Sequence, residues 1–187
     1  MSSSPALQAL SMTPEAHATA CARLRHSPRY AFLETTTRDE RDGALAAANI
    51  AKLLSVELPS VGFDVTRPHA SAVHVRWIDG ATEYTVYGLI KRFQRAAIDE
   101  PCGDPWPSVF GGAEFVMCYR SYSSAFLVEV IDELYRRREL GNLPLPSPEA
   151  FLAGQLAGVP VPGRNEDLHA LIELKAAATA MVWESWT

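Results

Sequence analysis

A chain of 187 residues with 48% apolar and 21% charged residues has the make-up of a soluble globular protein, long enough to bury roughly two thirds of the surface it exposes when unfolded. Its 22 acidic residues are dispersed among 17 basic ones for a net charge of -5. That argues against a simple phosphate binder, whose affinity comes from a basic stripe releasing counterions. Three cysteines in separate segments, Cys21, Cys102 and Cys118, fit neither a disulfide framework nor a thiolate zinc site, and point to reduced thiols in a cytoplasm.

The opening residues MSSSPALQALSMTPE have no cationic start, and nowhere does the chain run for about 18 uninterrupted apolar residues, so neither export nor membrane insertion is expected. Thr13-Pro14-Glu15 starts a helix: a hydroxyl N-cap, a proline where its missing N–H costs nothing, and an acid at the positive helix end. This helix is expected to run to about Arg25. A second follows from about Thr37 to Leu58, with Leu45, Ile50, Leu53 and Leu54 on one face. Two strands come next, Val61 to Thr66 and Ser71 to Ile78, joined by Arg67-Pro68-His69-Ala70. In the second, Val73, Val75 and Trp77 alternate with His74, Arg76 and Ile78, the period of a sheet with one buried face; the short loop predicts a hairpin.

After Asp79-Gly80, Thr82 caps a helix carrying Val86, Leu89, Ile90 and Phe93 at i, i+3, i+4 and i+7. Residues 94 to 113, with Pro101, Gly103, Pro105, Pro107, Gly111 and Gly112, read as a long loop, a kind of segment that is often functional. Glu114 to Tyr119 is a third strand, and Ser123 caps a helix with Leu127, Val130, Ile131, Leu134 and Tyr135 on one face. Beyond a proline-rich linker at 144 to 148, Ser147-Pro148-Glu149 starts a helix, and a last one begins at about Asn165. The fold class is therefore α+β: a small, mainly antiparallel three-stranded sheet in an α-β-β-α-β-α core over 41–140, with helical extensions at 1–40 and 141–187.

The search for chemistry finds little. His69 and His74 fall on opposite faces of an extended chain, and no H-E-x-x-H, phosphate-cradling glycine motif or G-x-S-x-G elbow occurs, so no metal, cofactor or catalytic residue is assigned. Cys118, mid-strand, reads as a small buried hydrophobe. Arg136-Arg137-Arg138 looks basic, but Asp132 and Glu133 stand four residues before Arg136 and Arg137 and predict a salt-bridged, solvated face. Arg120-Ser121-Tyr122-Ser123, where strand becomes helix, has two readings. In one, the free N–H groups, the hydroxyl and the guanidinium hold an anion or a partner's carboxylate. In the other, Ser123 caps, Tyr122 packs and Arg120 bonds to local carbonyls or to Asp79. Trp77 is read as a buried anchor at a corner that Asp79 and Gly80 turn.

Trp77-Ile78-Asp79-Gly80, Phe110-Gly111-Gly112-Ala113-Glu114-Phe115-Val116 and Arg120-Ser121-Tyr122-Ser123 together resemble the large polyvalent protein-associated domain families. Their members have a W-[TI]-D-G strand end, an amphipathic helix, a variable loop, and a strand running into R-x-[YL]-S. The resemblance spans about Asp42 to Leu140. It implies a module of phages, plasmids and other mobile elements, often part of very large proteins thought to enter a recipient cell with the DNA and blunt its defences, with no established catalytic residues to carry over.

The functional expectation is a non-enzymatic accessory protein that binds and inhibits a host protein, a component of a DNA-targeting defence such as CRISPR-Cas or restriction. Arg92, Arg95, Trp106, Arg120, Tyr122 and Trp186 are the candidate contacts. The rivals are a nucleic-acid-binding factor using Arg92, Arg95, Arg120 and Arg136 to Arg138 on one face, and an unrecognised hydrolase or transferase built from Arg120, Tyr122, Asp79 or Cys118. Trp183 and Trp186 are either core anchors or part of an interface, and self-association is left open.

Overall fold

The structure, a computed structural model, describes residues 12–37, 43–95 and 103–180. Among these, seven α-helices pack a three-stranded sheet of order β1-β2-β3, and the fold is α+β as the sequence led us to expect. Helix α1 spans Pro14–Arg25, with Thr13 Oγ1 accepting from Ala16 N at 3.2 Å. Helix α2 spans Ala44–Glu57, which corrects the expected start at Thr37. Gly43 takes φ 70, a left-handed conformation through which a right-handed helix cannot continue.

Strands β1 (Phe63–His69) and β2 (Ala72–Ile78) form the expected hairpin, but its turn is Ala70-Ser71 and the supposed loop residues Arg67, Pro68 and His69 belong to β1. Proline is tolerated there because β1 lies at the sheet edge, where a missing donor breaks no ladder. The alternation in β2 is as read: Val73, Val75 and Trp77 are buried while Arg76 and Ile78 are exposed. Strand β3 (Phe115–Ser121) lies beside β2 and runs the same way. Phe115 N donates to Ser71 O at their starts and Asp79 N to Ser121 O at their ends, which makes the sheet mixed.

Helix α3 (Glu83–Ile90) starts where Thr82 Oγ1 accepts from Thr85 N, and a 3-10 turn continues it over Lys91–Phe93. The expected long loop holds a short helix, α4 (Trp106–Phe110). Just before it the Asp104 carboxylate accepts from Trp106 N at 2.9 Å, and Trp106, Val109 and Phe110 are buried. Helix α5 (Ser124–Arg136) is capped by Ser123, whose Oγ accepts from Phe126 N. It buries Leu127, Val130, Ile131 and Leu134 as expected, but leaves Tyr135 exposed. Helix α6 (Pro148–Leu152) has the Ser147 cap. Helix α7 (Leu168–Ala178) begins at Asp167 rather than Asn165, because the Asp167 carboxylate accepts from Ala170 N and, across the preceding loop, from Gly158 N, each at 2.8 Å.

The chain gathers into two compact units, each discontinuous in sequence. The first takes the described parts of Met1–Val56, Val65–Val75 and Leu89–Met117. In it α1, the segment read as an extension, packs on α4, and the core closes around Trp106. The indole stands nearly perpendicular to the rings of Tyr30 and Phe93, with ring centres 4.8 Å and 5.5 Å apart. Asn49, fully buried on α2, binds this core together: its Oδ1 accepts from Glu34 N, and its Nδ2 donates to Glu34 O and Phe110 O, all at 2.8 Å. The second unit takes Glu57–Asp64, Arg76–Gly88 and the described part of Cys118–Thr187. Here α5 packs against α6 and α7, burying Phe126, Leu127, Ile131, Leu134, Leu140 and Ile172.

Candidate functional site

The W-x-D-G and R-x-Y-S residues meet in the second unit, where the end of β2 faces the end of β3. Trp77 is buried and its Nε1 donates to Ala81 O at 2.9 Å, closing the corner behind it; Phe63 packs on the indole at 5.7 Å. Asp79 and Gly80 both take left-handed backbone, φ 56 and 60. Aspartate tolerates that region better than most residues. At Gly80 a Cβ would stand 2.7 Å from Val61 Cγ2, so only glycine fits. The Asp79 carboxylate, itself buried, accepts from Ser123 N at 2.8 Å and ties the corner to the start of α5.

Arg120 is the centre of the group. Only 9% exposed, it donates from Nε to Asp79 O at 3.0 Å, from Nη2 to Gly80 O at 3.1 Å and from Nη1 to Ala176 O, in the last turn of α7, at 3.0 Å. Its backbone N–H donates to Glu83 Oε1 at 3.1 Å. The guanidinium also lies 5.2 Å from the Tyr122 ring centre and 5.0 Å from that of Phe126, two rings stacked on each other. A planar fork of donors suits this pattern, in which carbonyl dipoles and ring faces stabilise a charge withdrawn from water. In Arg120-Ser121-Tyr122-Ser123 the local contacts are those of the second reading: Ser123 caps, Tyr122 packs half-buried, and Arg120 locks the corner through backbone carbonyls.

Electrostatics point the same way. Burial, aided by the charge of Glu83, pushes the Cys118 thiol up to about 11. Burial likewise raises the Tyr122 phenol, with Arg120 opposing and Glu83 and Glu173 adding to the rise. Burial works against the Arg120 charge, while Tyr122, Asp79 and Glu83 support it. No group of three His, Cys, Asp or Glu side chains able to hold a metal occurs among the described residues. A polar crease of about 540 Å³, lined by Arg138, Glu139, Arg164 and Glu166 among others, involves none of the motif residues.

Three further candidates belong to the first unit. Trp106, assigned to a partner from the sequence, is 2% exposed and serves the first unit's core. Arg92 lies 4.3 Å over its ring and bonds the Asp104 carboxylate, Nε to Oδ2 at 3.2 Å. Arg95 forms part of the wall beside Gly112, where a Cβ would come within 2.7 Å of Pro107 and 2.9 Å of Arg95 itself. Gly111, φ 82, passes so close to α2 that a Cβ would meet Ala46 N at 2.8 Å. The F-G-G-A stretch is thus a packing motif too. Arg137 pairs with Glu133 at 2.6 Å, the i, i+4 bridge expected. Trp183 and Trp186 lie outside the described residues. Sequence reasoning missed Asn49, Glu83 and the Ala176 carbonyl; Asn49 alone had a visible signal, a single amide on the buried stripe of an alanine-rich helix.

Residues 41–123 match the model of the family described as large polyvalent protein associated domain 29, which fits a domain associated with mobile elements and agrees with the motifs that suggested this kind of family. No curated protein and no solved structure matches the chain. No helix among the described residues is long and apolar enough to cross a membrane.

Proposed function

We propose that this chain, with a large polyvalent protein associated domain across its middle, is a non-enzymatic accessory protein of a mobile element. It acts in the cytoplasm by binding a host protein, a component of a DNA-targeting defence such as CRISPR-Cas or restriction. The observation that supports the non-enzymatic part is the locked corner: Arg120, Asp79 and Ser123 are engaged by hydrogen bonds within the fold, and burial raises the pKa of the Cys118 thiol and the Tyr122 phenol beside them. The mobile-element part rests on the family match. The choice of a defence component as target rests on the resemblance alone.

The test expresses the chain in cells with an active CRISPR-Cas or restriction system and challenges them with a targeted phage or plasmid. Transfer is expected to rise by orders of magnitude, and a tagged chain is expected to retain one defence subunit through washing. Unchanged transfer across a panel of such systems, with the chain folded and abundant, would overturn the proposal.

A further inference from the structure

We draw no further inference here: the strongest candidate, the row of exposed side chains Phe115, Met117 and Tyr119 along one face of β3, carries nothing because nothing in the structure shows what covers it.

Discussion

At the corner where β2 gives way to α3, one side chain joins three stretches of backbone. Replacing Arg120 by alanine leaves the carbonyls of Asp79, Gly80 and Ala176 without their donors in a buried place, and is expected to cost about 3 to 5 kcal/mol in urea unfolding. Lysine should lose less but still measurably, since one ammonium cannot reach three carbonyls placed for a planar fork. If Arg120→Lys keeps its urea midpoint and yet abolishes defence inhibition, the guanidinium is a contact and the locking role assigned to it fails. Glycine at position 80 is as tightly specified, by φ 60 and by Val61 Cγ2 2.7 Å from any added Cβ.

Helix ends supply the next two expectations. Helix α5 closes with Glu139 N donating to Leu134 O and Arg138 N to Tyr135 O, both at 2.9 Å, and Arg138 itself sits at φ 58, the place where glycine is the usual residue. Left-handed backbone costs a non-glycine residue about 1 to 2 kcal/mol, and glycine's greater freedom when unfolded takes back part of that gain. Arg138→Gly should therefore stabilise by about 0.5 to 1 kcal/mol in the same urea assay, and a destabilised variant would contradict it.

At the start of α7, bonds from Ala170 N and then Gly158 N hold the Asp167 carboxyl below its usual range. A carboxyl depressed in the folded state adds stability that is present above its unfolded pKa, near 3.9, and is lost as pH falls through the folded value. Asp167→Asn keeps a good cap without the titration. Its stability should fall less than the parent's between neutral pH and pH about 3, and equal acid losses would remove Asp167 from the account.

Most element starts were readable because their signals are local: Thr13-Pro14, Ser123 and Ser147-Pro148 carry cap and first turn within three residues. What was missed is tertiary. Pro68 lies in a strand because that strand is an edge, α4 exists because Trp106, Val109 and Phe110 are buried, and α7 starts at Asp167 because Gly158 lies opposite. The corner was legible as a corner, from Trp77, Asp79 and Gly80. Its lock was not, because the Ala176 carbonyl stands 56 residues from Arg120 and a backbone oxygen leaves no mark in a sequence.

For the molecule as a whole, three of the arginines named for a nucleic-acid contact are engaged within the fold: Arg120 by backbone carbonyls, Arg92 by Asp104 and Trp106, Arg137 by Glu133. Binding to labelled DNA should accordingly be weak, with a shallow dependence on salt. A slope of log affinity against log salt of about -5 or steeper, equivalent to several phosphate contacts, would favour the nucleic-acid reading instead.

The reach of Arg120 to Ala176 also bears on where the inherited module ends. The family match stops at residue 123, yet within that stretch Arg120 needs an acceptor from α7, while Asn49 and Val109 bond to Glu34 and Thr36 on the other side. Cut out by itself, the 41–123 piece would carry a stranded cation and an unanswered amide. It should emerge from expression without cooperative thermal melting, whereas the 12–180 piece should melt in a sharp transition. The stretch that folds should thus be longer than the stretch that the family match covers.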